Sequence, residues 1–381
     1  MEKISGRIVV LIFVIALALG GCGNTAGIET DKTKVITDNS TPEELYERAL
    51  KEDTLVVYTV STRAVDTKEA FEKAYPGLFV EVRDLRSPNL IEEVEKGSSN
   101  GTPVCDVVIC NDNSGEFKSR LVDTGIVVAF LPEDIGNHME EGAADGMVSF
   151  LNEAEILFYS TKEHTECPIE NIWELTEEKY KDRVYMPNPL RSFSTYAFCA
   201  SSLDHSTEFE AAYEAYAGEK LKLEGAENAA EYFWKKVSEN IIFTNSSDEV
   251  TEALNDGKAD FGWCVSSKLR LADVGYSLAP AYKLIPFSGC RTSYAVMMTK
   301  GCKNENSAKL FIRFLLGEKD GQGAGLKPFS TAGTWSVRGD VPDGNEVPLS
   351  DISLIAPDQQ RLIDEKEKVV MFWTDILKGN Q

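Results

Sequence analysis

With 381 residues, 43% of them hydrophobic and 9% aromatic, the chain can bury more than one sizeable core, and two domains are expected rather than one. A formal charge of −23, with no basic patch to offset it, argues against a nucleic-acid partner. The overall charge does not fix the sign of a small ligand, which answers to its local site.

At the start, Lys3 and Arg7 precede an apolar run over residues 8–19, and Leu19-Gly20-Gly21-Cys22 follows. The run is short for a membrane span, and small residues ahead of a cysteine suit a cleaved signal. This ending resembles the bacterial lipobox, which implies a signal peptide over residues 1–21 and a lipid on Cys22. Residues 22–42 are small and polar and read as a lipid-anchored flexible tether, with a reach of roughly 25 Å. The other seven cysteines show no C-x-x-C spacing, and their odd number argues against a disulfide framework; a bond between Cys290 and Cys302 stays open.

Residues 42–51 form a short helix capped by Thr41, with Glu43 and Glu44 in its first turn. Residues 55–60 are an almost unbroken apolar strand, as in a parallel sheet covered on both faces. A helix over 68–75, a strand over 79–83, a helix with Ser87 as its cap and Pro88 at its first position, and a strand over 106–110 complete a β-α-β-α-β unit. Residues 147–160 read as a strand crossing to a second sheet. A helix over 173–180, a strand from Val184 and a helix starting near Ser192 follow. A helix over 226–240, strands over 241–244 and 259–265 and a helix over 248–256 form a second α/β unit. Residues 284–287 and 294–299 make the return crossing, and 308–316 are a helix. The chain thus builds residues 43–151 plus 288–320 as lobe 1, and 152–287 plus 321–381, with C-terminal helices, as lobe 2. Two lobes joined by two strands predict a hinge with a cleft between them.

In open α/β sheets ligands gather at the carboxyl ends of the strands. Ser61, Thr62 and Arg63 stand there after the first strand, and Asp112 and Asn113 after the third, where an Asx-turn is the plain alternative. Arg86 and Ser87 are evenly balanced between ligand contact and helix start. Residues 183–199 are the centre of the reading: strand, Pro187 and Pro189, then a buried helix whose first turn carries Ser192, Ser194 and Thr195 beside Arg191. A helix N-terminus ringed by hydroxyls suits an anion; the alternative is an ordinary serine cap. Ser266 and Ser267 follow a strand, and Arg291 follows the return crossing, where it could clamp an oxyanion. Glu153, on a crossing strand, must meet a hydroxyl, an amine or an arginine. His138, His164 and His205 are far apart in polar segments, and no catalytic motif or metal spacing is present.

Ala70-Phe71-Glu72-Lys73-Ala74-Tyr75-Pro76-Gly77 before Val80-Glu81-Val82 resembles the opening of ABC-transporter extracellular solute-binding proteins, in the ferric-iron and organophosphate subfamily. Cys105-Asp106-Val107-Val108, the run from Tyr180 to Pro187, Gly257-Lys258-Ala259-Asp260-Phe261-Gly262, the run from Asn306 to Leu316 and Ser336-Val337-Arg338-Gly339-Asp340-Val341 continue it in order. The resemblance implies an α/β, two-lobe type II periplasmic-binding-protein fold with two crossover strands. It further implies a monomer that hands a small molecule to ABC permease transmembrane subunits, held by the Cys22 lipid on the extracytoplasmic face of the cell membrane, without catalytic residues or cofactor.

The family's ferric members carry two neighbouring tyrosines after the strand matching residues 261–265, and here Val265-Ser266-Ser267-Lys268 stands in their place. The resemblance therefore implies an anionic solute, an organophosphate, a phosphonate or a similar oxyanion, held by Ser61, Thr62, Arg63, Asp112, Asn113, Arg191, Ser192, Ser194, Thr195, Ser266, Ser267 and Arg291. A ferric-iron receptor is the alternative within the family. A secreted carbohydrate or phosphate-ester hydrolase is the alternative of another class.

Overall fold

A computed structural model describes residues 35–379; the segment expected to be a signal peptide, residues 1–21, and Cys22 lie outside the described residues. The first unit runs α1 (Pro42–Ala49), β1 (Leu55–Thr59), α2 (Ala64–Ala74), β2 (Val80–Asp84), α3 (Ser87–Ser99), β3 (Val107–Asn111), β4 (Val127–Val128) and α4 (Glu133–Gly136). Thr41 caps α1 in a reciprocal box with Glu44, as its sequence predicts. The chain then crosses on β5 (Val148–Ser160). Beyond it lie β6 (Val184–Pro187), α5 (Phe193–Ser202), α6 (Ser206–Ala217), α7 (Ala229–Ser238), β7 (Ile241–Thr244), α8 (Ser247–Asp256), β8 (Phe261–Val265) and β9 (Leu278–Pro280). It returns on β10 (Gly289–Thr299) to α9 (Glu305–Leu315) and ends in β11 (Trp335–Ser336), β12 (Leu354–Ile355), α10 (Gln359–Asp364) and α11 (Lys366–Gly379).

The strands follow the order β2-β1-β3-β10-β5-β8-β6-β7. β1 to β3 are parallel, as are β8, β6 and β7, and the central strands β10 and β5 run antiparallel to each other and to the neighbour each meets. β5 and β10 pair from Gly289 opposite Ile156 to Val296 opposite Val148, with a slip at Tyr294/Ala295. Gly289 is required by this approach, because a Cβ there would sit 1.9 Å from the Glu155 carbonyl oxygen.

These two strands feed different cores along their length. Val148, Phe150 and Leu151 of β5, with Tyr294, Val296, Met297 and Met298 of β10, join β1, β3, α2, α3 and α9 in one apolar cluster. Leu157 and Cys290 belong to a second cluster built around Trp173, Trp234, Trp263 and Trp373, and Ala154, Ile156 and Phe158 to a third against α8. Trp234 is fully buried and donates from Nε1 to Ser202 Oγ at 2.7 Å. Truncating a core tryptophan costs about 3–5 kcal/mol.

Several sequence expectations are corrected. Ser87 is the first helical residue and not the cap of α3, since Arg86 holds the extended cap position. Residues 284–287 are not a strand; Pro286 has no N–H to give a ladder, Ile285 makes only an isolated bridge to Asn171, and the strand is Gly289–Thr299. Residues 173–180 form two short 3₁₀ turns, with Asn171 capping the first. The end of the stretch taken as tether is docked: Ile36 pairs with the chain at Ala129 and Leu131, and Asp38 meets Lys309 at 3.0 Å. All seven cysteines among the described residues are free thiols, and Cys290 and Cys302 belong to different cores. No helix among the described residues is long and apolar enough to cross a membrane.

Candidate ligand-binding site

A cleft of about 830 Å³ opens at the carboxyl ends of the strands. One wall carries Val60 after β1, Asp84 to Asn89 after β2, and Asn111 and Asn113 at the end of β3. The other carries Leu190, Arg191, Phe193 and Ser194, with Asn245 after β7 and Val265 at the end of β8.

Local chemistry shapes both walls. After β6, Asn188 turns the chain by accepting the Leu190 N–H on its side chain at 2.9 Å and those of Arg191 and Ser192 on its carbonyl. Ser192 then caps α5, its Oγ accepting the Thr195 N–H at 3.4 Å. Across the cleft no side chain caps α3, and Ser87 and Asn89 of its first turn line the wall. Two helix N-termini therefore open on one space, each favourable to negative charge. Arg86 and Arg191 add two guanidinium groups against the single carboxylate of Asp84. Arg191 donates to Asn245 Oδ1 at 3.0 Å. Asn113 is 4% exposed, and its Nδ2 has no hydrogen-bond partner among the described residues. A buried donor without a partner is costly unless something else satisfies it.

Of the residues proposed from sequence, the structure brings Asn113, Arg191 and Ser194 to the cleft wall, with Ser192 capping the helix behind them. The others lie outside this lining. Arg63 turns inward, donating from Nε to Ser61 Oγ at 3.1 Å and from Nη2 to Glu153 Oε1 at 2.7 Å, with its guanidinium over the Phe329 ring. Thr62 is exposed beside it. Asp112 is a structural cap that accepts the N–H groups of Phe117 and Lys118 at 3.2 and 2.8 Å, and burial pushes its carboxyl up. Thr195 is fully buried against Glu155 at 2.7 Å.

Ser266 accepts the Ala154 N–H at 2.9 Å and donates to the Gly333 carbonyl, tying the segment before β11 to β5. Ser267 is 4% exposed and gives its carbonyl to Arg270. Arg291 places Nε and Nη2 on Asn152 Oδ1 at 3.2 and 3.0 Å. Sequence reasoning held Arg86 and Ser87 evenly balanced and missed Asn89, Asn111 and Asn245. Their signal is position, since all stand where a strand ends.

Each histidine faces a nearby acid away from the cleft: His138 with Asp340, His164 with Asp260 and His205 with Glu208. A second groove of about 730 Å³ runs past Asp38, Asp134, His138, Arg313 and Glu318. Arg313 is already paired there with both Asp134 and Glu318. Among the described residues no cluster of three or more His, Cys, Asp or Glu side chains could hold a metal ion.

A model of the bacterial extracellular solute-binding protein family matches residues 66–351. The chain belongs to that family. No curated protein matches this solute-binding protein. Iron-bound HitA from Pseudomonas aeruginosa is similar to it at 18% identity and TM-score 0.62, covering 85% of this chain and 99% of that one. AfuA from Actinobacillus pleuropneumoniae, with exogenous fructose-6-phosphate bound, matches at 18% identity and TM-score 0.61, covering 85% and 98%. Apo ferric ion-binding protein A from Pasteurella haemolytica matches at 15% identity and TM-score 0.61, covering 85% and 97%. At these identities the likeness shows the fold, the two-lobe type II periplasmic-binding fold with two crossover strands. Membership makes the solute-binding protein the extracytoplasmic component of an ABC importer, with a small molecule as ligand and the permease as partner.

Proposed function

We propose that this solute-binding protein captures a small organic anion, an organophosphate, a phosphonate or a similar oxyanion, in the cleft and delivers it to the permease as a monomer held by a lipid on Cys22. One observation carries the reading: the N-termini of α3 and α5, Arg86, Arg191 and the unpartnered buried amide of Asn113 converge on one space. Guanidinium groups and helix N-termini recognise oxyanions through charge-assisted hydrogen bonds. Ferric iron is a hard cation that calls for anionic oxygen donors. The cleft wall has one carboxylate and no phenol among its described residues. For the same reason we read the protein as a receptor and not a hydrolase, because no histidine and no carboxylate pair lines the wall. A ligand touching both walls would favour the closed form by its differential affinity.

Thermal-shift and calorimetric titration of the detergent-solubilised full chain with phosphate monoesters, phosphonates, organic acids and Fe(III) tests this. A raised Tm with one anion class and no product release is expected. Saturable binding of Fe(III) alone overturns the ligand class, and sustained product release overturns the receptor reading. Radiolabelled palmitate or mass spectrometry at Cys22 checks the anchor.

A further inference from the structure

Behind the cleft wall lies a carboxyl group that the ligand reading does not use. Glu155, on β5, is fully buried. Its Oε1 lies 2.7 Å from Thr195 Oγ1 in the first turn of α5, and its Oε2 has no hydrogen-bond partner among the described residues. Thr195 Oγ1 also lies 2.9 Å from Ser192 Oγ, which lies 3.4 Å from Ser194 Oγ on the cleft wall. A hydroxyl has one proton, so Thr195 donates to one neighbour and accepts from the other. The three hydroxyls form an ordered path from the cleft to the buried carboxyl.

The groups facing Glu155 are few. Glu153 is on its own strand, the Thr195 and Ser194 hydroxyls and the Cys199 thiol are on α5, the Cys264 thiol is on β8 and the Cys290 thiol on β10. Burial pushes the Glu155 carboxyl up to about 7, opposed by the Thr195 and Ser194 hydroxyls and helped by the like charge of Glu153. Among the described residues no arginine, lysine or histidine pairs with it.

We propose that Glu155 is a specificity-determining residue, coupling capture of an anion at the N-terminus of α5 to uptake of one proton. This rests on the anion reading of the cleft. When the carboxylate is ionised, the end of α5 already serves one negative charge, and a ligand anion at Ser194 brings a second to the same helix end in a low-dielectric site. Protonating Glu155 removes that repulsion. The proton comes from solvent in the cleft. It passes by reorientation of the Ser194, Ser192 and Thr195 hydroxyls and forms the O–H bond at Oε1, while each hydroxyl gives up one proton and gains one. The binding site thereby favours, as pH falls, ligands that remain fully ionised.

Calorimetry of the full-length chain with sulfate and with a phosphate monoester, in two buffers of different ionisation enthalpy, counts the protons. Sulfate does not titrate in this range, so any uptake with it belongs to the protein. The expected result is uptake approaching one proton per sulfate at about pH 8 and falling toward zero by about pH 5.5, with the apparent Kd rising up to about tenfold per pH unit between them. Glu155→Gln should abolish both the uptake and the slope, and an infrared carboxylic C=O band that grows when the wild-type chain is saturated with sulfate at about pH 8 identifies the group. Saturable binding without proton uptake in the wild type overturns the coupling alone. No heat with either anion at any pH overturns the anion reading and the coupling with it. The wild-type count decides even where the variant fails to fold.

Discussion

The crossing strands and the cleft wall are both rich in polar side chains, yet they use them in opposite ways. On β5 and β10 the polar groups turn to one another: Glu153 takes Arg63, Asn152 takes Arg291 and Ser293, Glu155 takes Thr195 on one of its two oxygens, and Ser266 ties the Ala154 N–H to Gly333. At the strand ends Arg86, Asn89 and the Asn113 amide nitrogen have no such partners among the described residues, and Arg191 makes one side-chain hydrogen bond there, to Asn245. A group whose hydrogen bonds are already made inside the protein stabilises the fold. A group left short of partners at a cleft can serve a ligand.

Cutting the internal tie should produce the largest effect. Glu153→Ala leaves the Arg63 guanidinium buried without its counter-ion, and we expect a loss of about 3–5 kcal/mol of stability in urea unfolding. Ligand affinity of the folded fraction should change much less. If affinity falls in step with stability, the division between the two regions is wrong.

Glu155→Gln should act on stability through pH. The native carboxyl titrates at about 7, above its ordinary value of 4.5, so the native state holds a proton that the unfolded chain releases between those values. The favourable term is complete below 4.5 and is lost as pH rises through 7. Glu155→Gln should remove this slope, leaving the variant more stable than the wild type at alkaline pH by up to about 3 kcal/mol. Parallel stability–pH curves for the two chains would count against a buried titrating Glu155.

At the cleft, Arg86→Ala and Arg191→Ala should each weaken an anionic ligand by about 1.5–3 kcal/mol while moving Tm little. Titration calorimetry beside thermal unfolding separates the two quantities. The smallest effect should come from Asn113→Ala, which removes a buried donor without a partner. Stability should hold or rise, and affinity should drop by about 1 kcal/mol. A stability loss as large as that of Glu153→Ala would place Asn113 with the internal ties.

Much of this architecture was legible in the residues. The unbroken apolar run over 55–59 marks a covered parallel strand, the strand expected over 147–160 is found at Val148–Ser160, and Ser192 caps its helix where the hydroxyls suggested. These features are local: side-chain period, capping chemistry and proline placement act within a few residues. The helix Ser206–Ala217 was not placed, and the C-terminal helices were expected without bounds, because their apolar faces are completed by distant tryptophans and phenylalanines.

The site divides along the same line. By itself, the sequence determined which strand ends would carry serines, asparagines and arginines, and that they would gather at one edge of the sheet. Only the tertiary structure decided which of them remain available, because the groups that claim Arg63, Thr195, Ser266 and Arg291 stand 90, 40, 67 and 139 residues away in the chain. A hydrogen bond depends on distance in space, and the two crossing strands bring those residues together.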